Sequence, residues 1–222
     1  MSLRDRGTAD LAEDSADSGP RRSVASLSVG AWDDATLVAG VASGSPVALA
    51  ALFDRYSGHV RNALTATYGG DLDVDDVTQE TFLMVARRCA TVRDPTALRS
   101  FVVSIAIRLA RNEHRKRVLR RWVSLGAIPE HCHAEAAHDP CATEVVRRIY
   151  AALGALGEGS RVVFVLRRVE GYELGEGAVI AGCSLATFKR RLRRAEACFE
   201  ALCRADPVLR ELVAPETEEA RS

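Results

Sequence analysis

Gly182-Cys183-Ser184-Leu185-Ala186-Thr187-Phe188-Lys189-Arg190-Arg191-Leu192-Arg193-Arg194-Ala195 is the stretch whose reading decides the fold. Ser184 suits a helix N-cap, because its hydroxyl accepts a hydrogen bond from a free first-turn amide. Behind it Leu185, Phe188, Leu192, Ala195, Phe199 and Leu202 recur at steps of three or four, one apolar stripe of a helix. The other faces carry Thr187, Lys189, Arg190, Arg191, Arg193 and Arg194, five cations in six residues with no acid before Glu196. Upstream, Leu174 to Ala181 reads as a short helix, and Gly182 supplies the sharp turn. A short helix, a glycine turn and a longer helix with basic faces make a helix-turn-helix, whose second helix enters the DNA major groove. A solvated amphipathic helix would show the same stripe. It would not need this density of cations at a helix start that follows a turn.

The whole chain has 222 residues, enough for one medium domain or two small ones. Hydrophobic residues make up 47%, so a core can form, while aromatics at 5% leave it to Leu, Val and Ala, as in small helical domains. Formal net charge is zero, which taken alone argues against a nucleic-acid binder. The charge is segregated, however. Residues 71–80 hold Asp71, Asp73, Asp75, Asp76 and Glu80 with no cation. Residues 108–121 hold Arg108, Arg111, Arg115, Lys116, Arg117, Arg120 and Arg121 against Glu113 alone. Blocks of this kind imply separate docking surfaces, one for a basic partner and one for phosphates. The N-terminus is polar and acidic without an apolar h-region, and no run is long enough to span a bilayer. A cytoplasmic protein with six reduced cysteines is expected.

Residues 1–32 lack any period and read as a disordered extension. Asp33 and Asp34 can cap a short helix through Val41, and Ser45-Pro46 opens a long one along Leu49, Leu52, Phe53, Tyr56, Val60 and Leu64, closed by Gly69-Gly70. Asp73 starts a third helix, with Val77, Phe82, Val85, Ala86 and Cys89 inward and Asp76, Gln79 and Glu80 outward. Acids in a first turn also complement the helix dipole. Asp94-Pro95 starts a fourth, along Leu98, Phe101, Val102, Ile105 and Leu109, with a basic end. These four form one helical domain over residues 33–121. Residues 122–142, with Gly126, Pro129 and Pro140, read as a flexible linker. A second domain over 143–205 begins with a helix along Val145, Val146, Ile149, Leu153 and Leu156, followed by one from Ser160 and then the helix-turn-helix. Residues 206–222 read as a weak acidic tail. The expected fold is therefore all-α: two small helical domains, the second with a helix-turn-helix, and no convincing strand.

At this point the residues resemble a known family. Asp75-Asp76-Val77-Thr78-Gln79-Glu80-Thr81-Phe82, followed by Leu98-Arg99-Ser100-Phe101-Val102-Val103-Ser104-Ile105-Ala106, is similar to the second domain of bacterial RNA polymerase sigma factors. Leu166-Arg167-Arg168-Val169-Glu170-Gly171-Tyr172, running into Ser184-Leu185-Ala186-Thr187-Phe188-Lys189-Arg190-Arg191-Leu192, is similar to the fourth. Two such domains with a short linker resemble the extracytoplasmic-function (ECF) class. The resemblance implies a non-enzymatic specificity subunit that binds core polymerase, through the beta-prime clamp and the beta flap, and promoter DNA. Asp76, Gln79 and Glu80 would dock on the clamp, opposite-charge docking being physically sensible for an exposed polar face. Arg108, Arg111, Asn112, Arg115 and Lys116 would meet the minus-ten element and help open it, since strand opening needs cations for phosphates and a platform for unstacked bases. Ser184, Thr187, Lys189, Arg190 and Arg191 would read the minus-thirty-five element, where Arg can pair with guanine in two hydrogen bonds. Arg193 and Arg194 would hold phosphates. The resemblance also implies an anti-sigma partner.

Two features depart from the family pattern. Gly175 stands where an acid is usual, and Gly177 where a branched apolar residue is usual, which leaves a hole that the large Phe188 can fill. His131, Cys132, His133, His138 and Cys141 gather in the linker, ligand types that suit zinc or another transition metal, at a spacing that matches no standard finger. A polar linker with two reduced thiols is the preferred reading, with no cofactor required. No phosphate-binding glycine loop or nucleophile elbow is present. The alternative function is a free-standing helix-turn-helix regulator, metal-responsive through that cluster. It leaves the 71–80 and 108–121 blocks without a joint explanation.

Overall fold

The computed structural model describes residues 32–125 and 144–213. Among them there is no strand, and the elements are helices α1 (Asp34–Ala42), α2 (Pro46–Tyr68), α3 (Val74–Arg88), α4 (Leu98–Leu125), α5 (Glu144–Ala155), α6 (Glu158–Phe164), α7 (Leu174–Ala181), α8 (Leu185–Ala205) and α9 (Pro207–Val213). Local chemistry sets most of the starts. The carboxylates of Asp33 and Asp73 accept from the amides of Thr36 and Asp76 at 2.7 and 3.0 Å, and the Ser45 hydroxyl accepts from Ala48 at 3.3 Å with Pro46 in the first turn. Each cap satisfies an amide that the helix cannot pair internally.

The first four helices wrap around α2. Leu52, Val60, Ala63 and Leu64 of α2 are fully buried with Leu37 of α1, Val85 of α3 and Leu98 and Val102 of α4. Phe53 and Phe82 meet edge-on with ring centroids 4.7 Å apart. Burying a Leu or Val of this kind stabilises by about 1.5–3 kcal/mol each, which is why the all-aliphatic pattern suffices with few aromatics. The second group, α5 to α9, surrounds α8: Phe164 of α6 stacks at 4.7 Å on Phe199, with Leu153, Leu156 and Ala195 around them.

The two groups do not stand apart. Val162, Val163, Leu166, Tyr172, Ala178, Ile180, Phe188 and Leu192 belong to the same continuous apolar cluster as α2 and α4. α7 lies along α4, and α5, α6 and the turn after α6 lie along α2.

Several details differ from the sequence reading. The helix expected from Ser160 starts at Glu158, behind Gly157, and ends in a wide π turn over Val165–Val169. Val146 and Leu185, expected on buried stripes, are exposed. The expected tail opens instead as α9: Asp206 accepts from the amides of Val208 and Leu209, and Leu209 is buried on Ala152 and Cys203. α4 continues to Leu125. The rest of the expected linker, with His131, Cys132, His133, His138 and Cys141, lies outside the described residues, as do the N-terminal extension to residue 31 and residues 214–222.

Candidate polymerase and promoter surfaces

The helix-turn-helix is built by hydrogen bonds that need particular residues. Gly182 has φ +65° and ψ +42°, the left-handed conformation that a side chain disfavours, and it closes α7. The Cys183 amide returns to the Ala178 carbonyl at 3.0 Å and the Gly182 amide to Val179 at 3.1 Å, a Schellman ending. Two residues on, Ser184 accepts from the Thr187 amide at 3.2 Å and donates to the Thr187 hydroxyl at 2.9 Å. Phe188, fully buried, fills the space left by Gly177: a Cβ built on Gly177 would lie 2.7 Å from Phe188 Cζ. The angle between α7 and α8 thus rests on one phenyl ring against one bare backbone.

With Phe188, Leu192 and Ala195 turned inward, the sequence spacing forces Lys189, Arg190, Arg191, Arg193 and Arg194 outward, and all five are exposed. None of the five forms an ion pair among the described residues. Glu196, the first acid of α8, is taken by Arg168, whose Nε donates to it at 2.7 Å. Arg190, Arg191 and Arg194 line a cleft of about 650 Å³ with the start of α6 (Gly157, Glu158, Gly159, Ser160) and Cys198. Thr187 is half-buried, and the Ser184 hydroxyl is occupied by its cap.

α4 arranges its cations otherwise. Arg108, Asn112, Arg115 and Lys116 are exposed, but Arg111 is turned to the second group of helices. Its Nη2 donates to the Ala181 carbonyl at 3.2 Å, and its Nε lies 3.7 Å from Glu158. Glu113 gathers Lys116, Arg117 and Arg120 at 3.6, 3.6 and 2.9 Å, and Arg117 also donates to the Asp71 carbonyl at 3.0 Å.

On α3, Asp76, Gln79 and Glu80 are exposed, and neither acid has an ion pair among the described residues. Asp75 differs, since Arg61 donates to it at 3.0 Å. Leu83 is 58% exposed, one turn beyond Gln79 and Glu80. The sequence reading missed it, although its helical spacing from Gln79 was the available signal. Arg61, Arg99, Glu158, Arg161 and Glu170 were missed for a different reason: their partners lie far along the chain.

Burial pushes the thiols of Cys89 and Cys203 up. Among the described residues no group of His, Cys, Asp and Glu could hold a metal, and no helix is long and apolar enough to cross a membrane.

Fold and surfaces together define a two-part helical DNA-binding protein, with an anionic helix face on one part and a basic helix-turn-helix on the other. Comparison with known proteins narrows this. Residues 52–120 match the model of Sigma-70 region 2 and residues 146–199 that of Sigma-70, region 4. The RNA polymerase sigma factor CnrH of Cupriavidus metallidurans is 29% identical over 78% of this chain and 95% of its own length. The ferric citrate uptake sigma factor FecI of Escherichia coli is 28% identical over 65% and 84%. A solved structure of CnrH in complex with the cytosolic domain of CnrY superposes with a TM-score of 0.58 at 28% identity, covering 78% of this chain and 98% of that one. The sigma factor RpoE of Bartonella quintana, crystallised with the anti-sigma factor NepR, shares the fold with a TM-score of 0.60 at 20% identity, over 69% and 95%. The chain belongs to the sigma-70 family of RNA polymerase sigma factors, in the ECF class.

Proposed function

We propose that the chain binds core RNA polymerase through the outer face of α3 and brings it to promoters that α8 and α4 recognise. The observation that carries this is the pairing, on one chain, of an exposed acidic ridge with an exposed run of unpaired cations on a helix-turn-helix. A free-standing regulator needs only the second. Asp76, Gln79 and Glu80 supply the ridge, and Leu83 adds apolar area that a charged contact alone lacks. Lys189, Arg190 and Arg191, with Thr187, are in reach of base edges in the minus-thirty-five groove, while Arg193 and Arg194 hold phosphates. Ser184 acts as the cap that aims the helix, and its backbone, rather than its occupied hydroxyl, faces the DNA. Arg108, Asn112, Arg115 and Lys116 meet the minus-ten strand, with Asn112 the residue best able to read a base.

The chain acts in the cytoplasm, where polymerase and promoters are, and performs no catalysis of its own. By analogy with CnrH, which was solved with the cytosolic domain of CnrY, we assign it an anti-sigma partner that masks one or both surfaces.

In-vitro transcription tests the reading. Core polymerase plus this chain should initiate on genomic DNA fragments at positions where core alone does not. Replacing Glu80 by Lys should abolish initiation and co-purification with core while duplex binding persists. Duplex binding without any core-dependent initiation would instead establish a free-standing regulator.

A further inference from the structure

The cleft between α8 and the start of α6 has a shape that promoter binding does not require. Its volume is about 650 Å³, inside the range of roughly 300–1,000 Å³ typical of sites that enclose a small molecule. Leu156 and Ala195, both buried, give it an apolar floor, and the backbone of residues 157–159 forms one wall. Arg190, Arg191 and Arg194 line it as well, with Glu158 the one acid among the lining residues. That acid is engaged elsewhere. Its Oε1 accepts from the Tyr68 hydroxyl at 3.1 Å and lies 3.7 Å from Arg111 Nε. None of the three lining arginines has an ion pair or a hydrogen bond among the described residues.

Arg191 is held in a telling place. A Cβ built on Gly159 would lie 3.4 Å from Arg191 Cζ and 3.4 Å from its Nη1. The guanidinium thus rests on bare backbone, with no carboxylate to draw it there. Gly159 does not have a positive φ, so its conformation needs no glycine; what the missing side chain provides is room for the arginine.

The chemistry of an occupant follows from these groups. Arg190 and Arg194 are one helical turn apart, with Cβ atoms separated by about 6 Å. Two adjacent phosphate groups span that gap better than one, and each accepts paired hydrogen bonds from a guanidinium. A planar guanidinium also stacks on the face of an aromatic base, for which the apolar floor leaves space. A duplex can only lie across the rim of such a cleft, whereas a free nucleotide fills it.

We propose that this cleft binds a small molecule of the nucleoside diphosphate class, and that the bound ligand withdraws Arg190, Arg191 and Arg194 from promoter DNA. Since nucleotide and promoter use the same cations, each weakens the other by the same factor. The effect on promoters rests on the sigma-factor reading above; the binding itself does not.

ADP, added to the full-length chain at constant ionic strength, is the probe. Calorimetry should show saturable binding with a dissociation constant below about 1 mM, weaker for AMP, and duplex affinity should fall as ADP rises. At about ten times that constant, iodoacetamide should alkylate the exposed Cys198 thiol, which lines the cleft, about tenfold more slowly. Gly159→Leu fills the cleft without changing charge, and it replaces glycine by a better helix former, so the chain still folds. It should weaken ADP by about tenfold or more and leave duplex affinity within about twofold.

ADP binding that survives Gly159→Leu would be general attraction to α8, and unslowed alkylation of Cys198 would place the ligand elsewhere. Either result, or no saturation at millimolar ADP, overturns the nucleotide site. Equal loss of ADP and duplex affinity in Gly159→Leu also overturns it, making the cleft a seat for the DNA backbone. Failure of the unaltered chain to bind duplex or to support initiation by core polymerase would sink the sigma reading. Duplex binding indifferent to ADP sinks only the nucleotide site.

Discussion

Residues 108–120 of α4 and 189–194 of α8 are two runs of cations on two amphipathic helices, and the fold treats them differently. On α4 a single acid, Glu113, stands three, four and seven residues before Lys116, Arg117 and Arg120 and collects all three. Arg111 is spent on Ala181 and Glu158. On α8 the first acid, Glu196, one turn beyond Arg193, is taken by Arg168, and the five cations project free of ion pairs among the described residues. The first surface is partly neutralised and partly hidden. The second is ready for phosphate, where counterion release drives binding from the first encounter. A run of cations in a sequence is thus two different things in a fold, depending on whether a nearby acid is left free to pair with it.

The contrast can be broken most strongly at Phe188. Phe188→Ala should cost about 3–5 kcal/mol, read as a fall in the midpoint of chemical unfolding, because it empties the space between α7 and α8. Duplex binding should be lost while association with core polymerase through α3 survives; equal loss of both would show that the halves depend on each other more than their separate surfaces imply. Gly177→Val attacks the same contact from the other side. Overpacking against Phe188 should destabilise by about 1–3 kcal/mol, and Phe188→Val in the same chain should restore most of it. Stabilisation by Gly177→Val alone would contradict the packing.

Among the cations, Arg190→Ala or Arg191→Ala should cost about 1–3 kcal/mol on the preferred promoter and relax sequence preference. Arg194→Ala should weaken all duplexes alike and lower the salt slope by about one. A sequence-selective loss there would make Arg194 a base reader. Glu113→Ala should sharpen the comparison from the other side: it loses a few side-chain pairs worth about 0.2–0.5 kcal/mol each, and the freed α4 cations should bind single strands more tightly.

The smallest effect concerns acid. Arg148, 2.7 Å from Asp206, holds that carboxyl below its ordinary value of 3.8, with the amides of Leu209 and Val208 assisting. A folded-state pKa below the unfolded one contributes stability above about pH 4 that is lost as pH falls through the folded value. Asp206→Asn should therefore flatten the acid limb of an unfolding titration monitored by circular dichroism, without altering duplex binding at neutral pH.

Much of this was legible in order along the chain. Ser45-Pro46, Asp73 and Ser184 announce helix starts because a cap is made within three residues. The inward stripe of α8 and its outward cations follow from one period. Even the Gly177–Phe188 compensation could be read, since both sit in one motif. Leu185 and Val146 misled because periodicity says which residues share a face, not how far a neighbour covers it. α9 was missed because its support, Ala152 and Cys203, lies on α5 and α8.

The sequence by itself determined the helices, their caps, the helix-turn-helix and the two charge blocks, since each depends on hydrogen bonds and spacings only a few residues long. Only the tertiary structure decided which cations are free. Arg111 meets Ala181 across seventy positions and Arg99 meets Glu170 across seventy-one, and no local pattern encodes a partner that packing alone brings near.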